Sequence, residues 1–310
     1  MAHLGKKNIL ILGGNGFVGS HFVDAFLQKG FSVRVVDVYP EKFREPNPNV
    51  DYRLGDFSDA VFMSSTLEDI DTVVHLVSTT VPANSNNNCA YDVESNLIPT
   101  VKLLDAMREN KCRKIIYLSS GGTVYGNAAI VPTPEDTILQ PISSYGIVKG
   151  AIENYISMYS KLYDLQSLII RPANLYGNRQ GHSGVQGLIN TLLEKIANNE
   201  EVTIYGNGNS VRDYIFIDDL VKLLCTAMDK NALGVFNAGS GVGYTVNQII
   251  ESITNISGKK ANINMAPARS FDVEKMILDI TKAGKQIGWK PSTSIEEGIK
   301  QMWANHQKQV

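Results

Sequence analysis

A chain of 310 residues, 43% hydrophobic and 19% charged, has room for a sizeable core spread over one large and one smaller domain. A formal net charge of −2 offers no basic surface to nucleic acid or anionic lipid, and no apolar run approaches the length that spans a bilayer. Cys89, Cys112 and Cys225 show no Cys-x-x-Cys spacing and no neighbouring His pair, which points to reduced thiols in the cytoplasm and to no bound metal.

At the N-terminus a basic pair, Lys6-Lys7, precedes an apolar stretch too short for a signal segment, and the stretch runs straight into glycines. This predicts a buried first strand. Short β-rich runs then alternate with amphipathic helical patterns: Asn8–Leu12, Ser32–Asp37, Val50–Gly55, Thr72–Val77, Lys114–Leu118 and Ser167–Arg171 read as strands. Such alternation predicts an α/β fold, a Rossmann-type doubly wound parallel sheet covered on both faces. We place this domain at 1–176. Within it the helix from Ser144 carries Val148, Ile152, Tyr155, Tyr159 and Leu162 at helical spacing, a core-facing stripe. After Gly177 the order loosens into a helix around Val185–Asn198, a hairpin turning at Gly206–Asn209, a helix from Asp218 and shorter elements. These predict a smaller α/β substrate domain over 177–310, with part of 211–240 returning to the first domain.

The first strand leads into Gly13-Gly14-Asn15-Gly16-Phe17-Val18-Gly19. Gly13, Gly16 and Gly19 suit a tight turn, a close backbone approach to a pyrophosphate and close packing of helix on strand, and the phosphates would sit at the helix N-terminus. Asp37 closes the second strand, where a carboxylate accepts from the adenosine ribose and repels a 2′-phosphate. The cofactor expected is therefore NAD rather than NADP.

Tyr145 and Lys149, four residues apart, share one face of the helix from Ser144. An ammonium beside a phenol favours the phenolate, making a proton acceptor for a sugar hydroxyl. The same spacing also describes a half-buried tyrosine over a snorkelling lysine.

The company of these motifs is more specific. GGNGFVG, HLVS at His75–Ser78, SSGGTVYG at Ser119–Gly126, SSYGIVK and RPANLYG at Arg171–Gly177 resemble the extended short-chain dehydrogenase/reductase family. VRDYIFIDDL at Val211–Leu220 and PARSFDVEKMILDITKA at Pro267–Ala283 resemble its nucleotide-sugar epimerases and dehydratases. The resemblance implies that Tyr145 is the base and that Lys149 holds the nicotinamide ribose. Phe17 and Val18 would join the glycine loop, and Asp56 and Phe57 would flank the adenine. Leu76, Val77, Ser78, Asn96, Ser119 and Pro172 would line the rest of the NAD groove, with His75 a strand-end residue of the fold. Asn174, Arg212 and Arg269 match positions that hold the diphosphate of a UDP-sugar, a task suited to guanidinium forks. Asp272 would lie near the nucleotide ribose, Val202–Tyr205 would border the uracil, and Met276 would wall off the sugar's 2-substituent. A homodimer through the helix from Ser144 and the helix at Tyr91–Asn110 is implied as well. His182 reads as a surface residue near the sugar site.

Two departures matter. Where the family carries a catalytic Ser or Thr, this chain has Gly121, so Ser120 is the first substitute and Thr123 the second. The usual glycine after Asn96 is Pro99, expected to kink or break that helix. Dehydratases and decarboxylases of this family also carry carboxylates just before the VYG, where this chain has Gly122 and Thr123. Without them a 4-keto sugar would turn over and take the hydride back on its other face, so the expected reaction is epimerisation at carbon 4, with another nucleotide-sugar reaction or a non-catalytic NAD sensor as alternatives.

Overall fold

The computed structural model describes residues 7–181, 187–268 and 273–309. The strands are β1 (Asn8–Leu12), β2 (Ser32–Asp37), β3 (Val50–Leu54), β4 (Thr72–His75), β5 (Lys114–Leu118), β6 (Gln166–Pro172), β7 (Asn174–Tyr176), β8 (Glu201–Tyr205), β9 (Val211–Phe216), β10 (Gly234–Ala238), β11 (Gly243–Thr245), β12 (Asn262–Ala266) and β13 (Lys275–Met276). The α-helices are α1 (Phe17–Gln28), α2 (Ala60–Thr66), α3 (Cys89–Asp92), α4 (Ile98–Glu109), α5 (Ser144–Tyr163), α6 (Leu188–Ala197), α7 (Ile217–Asp229), α8 (Val246–Ser257), α9 (Thr281–Ile287) and α10 (Ile295–Gln309).

The chain divides into two compact units. The first comprises Met1–Ser119, Ser144–Ile170 and Ala227–Val235, and the second Ser120–Ser143, Arg171–Thr226 and Phe236–Val310. A seven-stranded sheet runs in the order β10-β6-β5-β4-β1-β2-β3. The pairings β1–β2, β1–β4, β2–β3, β4–β5 and β5–β6 are all parallel. This is the doubly wound order, and its direction reverses between β1 and β4, the place where such sheets bind ligands beyond their strand ends. Leu10, Leu12, Val73, Ile115 and Ile169 of the sheet bury against Leu103 and Leu104 of α4 and Val148, Ile152 and Ile156 of α5. Burial on both faces explains why these strands read as continuous apolar runs.

The second unit has its own core, with Ile189, Leu192 and Ile196 of α6, Ile249 and Ile253 of α8 and Ile299 of α10 packed around Tyr176, Tyr214 and Phe216. Here β9 pairs with β7, β11 and β13. The hairpin expected at Gly206–Asn209 does not form. Gly206 and Gly208 do take positive φ values of +72°, so the turn is real, but β8 leaves it to pair in parallel with β12 and β9 joins a different sheet.

One local expectation also changes. Tyr155 and Leu162, read as part of the core stripe of α5, are 38% and 63% exposed, while Val148, Ile152 and Tyr159 are buried. Beside Pro99 the regular α-helix after Asn96 is interrupted and starts again at Ile98. A wide turn over Val93–Leu97 lets the Ile98 N–H reach back to Val93 O, and Pro99, lacking an N–H, takes a place in the first turn of α4 where none is needed.

Candidate active site

The predicted site residues fall in both units. In the first, β1 turns at Gly13, whose φ of +82° suits glycine, and a Cβ on Gly19 would stand 2.2 Å from Gly13 O and 2.6 Å from Gly14 Cα. Gly16 is the N-cap of α1 and brings no capping side chain, so the N–H groups of Phe17 and Val18 open the helix without a local acceptor from the cap. Asp37 stands beside this loop, its Oδ2 accepting from Asn15 N at 3.1 Å and its Oδ1 from Tyr39 N at 3.2 Å. Among the described residues Asn15 Oδ1 has no hydrogen-bond partner, and it is buried, an acceptor suited to a ribose hydroxyl. A bare cradle of N–H groups with carboxylate and amide acceptors next to it fits a dinucleotide: diphosphate at the helix start, ribose at Asp37.

Across the switch between β1 and β4, Val77 N lies 3.5 Å from where a Gly13 Cβ would be, which brings His75–Ser78 to the same loop. Ser78 Oγ donates to Thr80 O at 3.0 Å. The Asn96 side chain accepts from Thr79 N at 2.9 Å and donates to Thr79 Oγ1 at 2.7 Å and Asp92 Oδ1 at 3.0 Å. Asn96 thus fixes the Ser78–Thr80 loop. Phe57 is 7% exposed and its ring packs on His75 at 5.4 Å between centroids, so toward a cofactor this residue has its backbone to offer, while Asp56 Oδ1 accepts from Ser58 N at 2.8 Å.

Tyr145 and Lys149 lie on the first two turns of α5. Lys149 is 5% exposed; its Nζ donates to Leu118 O at 3.0 Å and stands 4.9 Å from the Tyr117 ring centroid and 5.6 Å from that of Tyr145. Burial lowers its pKa from the ordinary 10.5 to about 8, against the opposing pull of the Glu153 and Asp92 carboxylates. The start of α5 is pinned from outside the helix: Asn86 Oδ1 accepts from Ser144 N at 2.8 Å, and Ser144 Oγ donates to Asp92 Oδ2 at 2.7 Å. One turn beyond Lys149 the buried Glu153 accepts from Ser119 Oγ. Asn86, Asp92, Glu153 and Tyr117 are the neighbours that sequence reasoning missed. Glu153 was open to it, standing four residues after Lys149 and therefore on its face of the helix.

His75 ends β4, 1% exposed. Thr100 Oγ1 gives its proton to Asn96 O at 2.6 Å, so at 2.9 Å the His75 Nε2 must be the donor to Thr100 Oγ1. That leaves Nδ1 a buried lone pair without a partner among the described residues. Burial, with the Lys149 charge nearby, holds the pKa of His75 down at about 3. The ring is a neutral part of the floor.

In the second unit Ser120–Gly126 forms a turn. Tyr125 anchors it: its hydroxyl donates to Asn237 Oδ1 at 2.7 Å and accepts from Arg171 Nη1 at 2.8 Å, with the guanidinium 4.9 Å from its ring centroid. A Cβ on Gly121 would stand 2.7 Å from Leu278 Cδ1 and 2.9 Å from Arg171 O, so no serine or threonine fits there without displacement. Thr123 Oγ1 points back to Ser120 O at a long 3.5 Å, and Ser120 Oγ makes no hydrogen bond among the described residues. A Cβ on Gly122 would meet Asn174 Oδ1 at 3.4 Å and Met276 Cε at 3.5 Å. Met276 is in register with Arg212, whose Nη1 donates to Val211 O at 3.0 Å, and Asn174 pairs with Tyr214 of the same strand. The structure thus brings together Gly122, Asn174, Arg212 and Met276. Pro172 O accepts from Gly121 N at 2.9 Å. Arg269, Asp272 and His182 lie outside the described residues.

A model of the family described as GDP-mannose 4,6 dehydratase matches residues 10–302. The chain belongs to this family, within the extended short-chain dehydrogenases/reductases. Its relatives in the family include a putative UDP-glucose 4-epimerase of Methanocaldococcus jannaschii, 33% identical over 95% of this chain and 96% of that one. Another is a dTDP-4-dehydro-6-deoxyglucose reductase of Escherichia coli, 33% identical over 95% and 96%. Among solved structures, a UDP-glucose 4-epimerase of Thermotoga maritima with UDP-glucose has a TM-score of 0.92 at 38% identity, covering 97% of this chain and 99% of that one. A UDP-glucose 4-epimerase of Thermus thermophilus in complex with NAD has a TM-score of 0.92 at 28% identity over 98% and 100%. The fold of the GDP-mannose 4,6 dehydratase family and its nucleotide-sugar chemistry are thereby those of this chain, and NAD is a cofactor of the family. Among the described residues no helix is long and apolar enough to cross a membrane, and no group of His, Cys, Asp and Glu could hold a metal ion.

Proposed function

We propose that this protein is a cytoplasmic NAD-dependent epimerase acting at carbon 4 of a UDP-hexose. The observation that carries the reading is the contrast in acid–base equipment. A tyrosine with a buried ammonium beneath it is present, while the two positions before the VYG hold Gly122 and Thr123 and supply no carboxylate for a second elimination or decarboxylation. Relatives and solved neighbours named as UDP-glucose 4-epimerases support it.

In this reading Tyr145, as phenolate, takes the proton of the sugar 4-hydroxyl and later returns it. Lys149, charged under the ring and fixed on Leu118 O, favours the phenolate and holds the nicotinamide ribose. NAD, when bound, takes up hydride from carbon 4 and gives it back. Ser120, whose hydroxyl has no hydrogen-bond partner among the described residues, supplies the hydrogen bond that Gly121 cannot, with Thr123 second. Gly13, Gly16, Phe17, Val18 and Gly19 hold the cofactor diphosphate, Asp37 the adenosine ribose, Asp56 and Phe57 the adenine, and Leu76 to Ser78, Asn96, Ser119 and Pro172 the remaining groove. Asn174, Arg212, Arg269 and Asp272 hold the UDP moiety. Met276, thin and flexible beside its position's bulkier alternatives, admits a 2-acetamido group, so UDP-GlcNAc is turned over as well as UDP-glucose.

A homodimer through α5 and the helical stretch Tyr91–Asn110, from α3 to the end of α4, belongs to the same reading. Tyr91 at 50%, Ile98 at 44%, Ile147 at 56% and Met158 at 40% exposure join Tyr155 and Leu162 in leaving apolar surface on this side of the first unit. Sedimentation would show twice the monomer mass.

The functional test is product analysis by NMR without added cofactor. Interconversion of UDP-glucose and UDP-galactose by protein that releases NAD on denaturation is expected; a 4-keto-6-deoxy product or no product from either sugar would overturn the proposal.

A further inference from the structure

A glycine is kept for the fold when its φ is positive or when a Cβ has no room. Gly126 meets both conditions, with a φ of +62° and a Cβ that would stand 2.0 Å from Gln140 O, and Gly121 meets the second against Leu278 and Arg171 O. Gly122 meets neither. Its φ is not in the left-handed region, and its Cβ would make ordinary contacts with Asn174 Oδ1 and Met276 Cε. Unlike buried Gly121 it is half-exposed, so the space its missing side chain leaves is reachable from solvent. A glycine that neither conformation nor packing demands stands where Asn174, a candidate for the diphosphate, and Met276, a candidate wall of the sugar, converge.

We infer that Gly122 is a specificity-determining residue, keeping open a compartment between Asn174 and Met276 through which the ring substituents of the sugar exchange places. This rests on the 4-epimerase reading above. A hexopyranose that presents its opposite face at carbon 4 makes a half turn about the line from carbon 1 to carbon 4. The turn swaps the ring edge bearing carbons 2 and 3 with the edge bearing carbon 5 and its hydroxymethyl group. A wall that borders the 2-substituent before the turn therefore faces the ring oxygen after it, while the hydroxymethyl group takes the place of the 3-hydroxyl. A rigid wall fitted to one edge would stop the ring on the way to the other. A bare backbone at 122 and a thioether at 276 that changes rotamer at little cost accommodate both in turn. A side chain at 122 larger than a methyl group would project between Asn174 and Met276 and remove that freedom. The first half of the reaction needs no turn, so an obstruction here separates oxidation from epimerisation.

The experiment uses the holoenzyme with Gly122→Ala, Gly122→Ser and Gly122→Val. It follows turnover of UDP-glucose and UDP-GlcNAc, the near-ultraviolet absorbance of reduced nicotinamide during turnover, and binding of both sugars by calorimetry. Each added carbon in a fitted pocket is worth about tenfold or more. Gly122→Val should therefore lose at least about tenfold in turnover of UDP-glucose and about tenfold more for UDP-GlcNAc, with reduced nicotinamide accumulating, and Gly122→Ala should fall between. An unchanged ratio between the sugars with no accumulation overturns the inference. Should Gly122→Val fail to fold, the ratio in Gly122→Ala and Gly122→Ser decides. If the wild type epimerises neither sugar, the functional proposal fails separately. Calorimetry still decides the inference: Gly122→Val must weaken UDP-GlcNAc selectively, and equal weakening of both sugars overturns it.

Discussion

The floor beneath α5 and the turn at Ser120–Gly126 are built on opposite plans. Beneath α5, Lys149, Glu153, Asp92, Asn96 and His75 are all at most 5% exposed, and their polar atoms are largely spoken for by backbone carbonyls and by one another. In the turn, Tyr125 is locked by Arg171 and Asn237, yet Ser120, Gly122 and Thr123 are only half-buried. The buried floor is where a proton acceptor can be tuned, because charges act strongly only where water is excluded. The open turn is where one residue changes without disturbing its neighbours. In the proposed reading, proton transfer belongs to the buried floor, and choice among reactions and substrates to the open turn.

The largest effect belongs to the floor. Tyr145→Phe keeps the ring and removes only the hydroxyl, so NAD and UDP-sugar binding should persist while turnover falls by more than the roughly 10²–10⁴-fold of a lone general base, since the phenol also returns the proton. Steady-state turnover within tenfold of wild type would remove Tyr145 from its role. The two glycines of the turn differ from each other in the same way. Gly121→Ala forces a Cβ against Leu278 and Arg171 O and should cost about 1–3 kcal/mol in urea unfolding, whereas Gly122→Ala should cost almost nothing. Equal costs would mean that the turn relaxes as a whole.

Much of the first unit was legible because its strands are buried on both faces and announce themselves as apolar runs; the six predicted strands recur within a residue or two of the observed ends. Where expectation and structure part, a local signal met a non-local outcome. The Gly206–Asn209 turn is correct as a turn, but nothing in its sequence says that β8 pairs with β12, some sixty residues on. The α5 stripe has helical spacing throughout, and only the neighbours decide that Tyr155 and Leu162 face away from the core. At the site, Gly121 and Gly122 look alike in sequence. Their different meanings lie in Leu278, Asn174 and Met276, which arrive from far along the chain.

Acid stability probes the floor through His75. Its pKa is held at about 3 against an ordinary 6.5, so between those values the unfolded chain binds a proton that the folded one does not. The stability it contributes is complete above pH 6.5 and falls as pH drops toward 3, by about 2 kcal/mol between pH 6.5 and 5. His75→Phe keeps an aromatic ring against Phe57 and Tyr117 and should flatten this slope in urea titrations at the two pH values; an unaltered slope would assign it to other groups. The smallest effect belongs to the turn. Ser120→Ala should lower turnover roughly tenfold, the worth of one hydrogen bond to a developing charge, and Thr123→Ala less. The reverse ranking would transfer the role to Thr123.

In the proposed reaction, hydride removed from carbon 4 returns to carbon 4 of the same sugar. UDP-glucose carrying deuterium at carbon 4, turned over without added cofactor and read by NMR, is the decisive probe. The expected product is UDP-galactose with the deuterium retained at carbon 4. UDP-galactose with that deuterium replaced by solvent hydrogen, or a 4-keto product in its place, would rule the proposed reaction out.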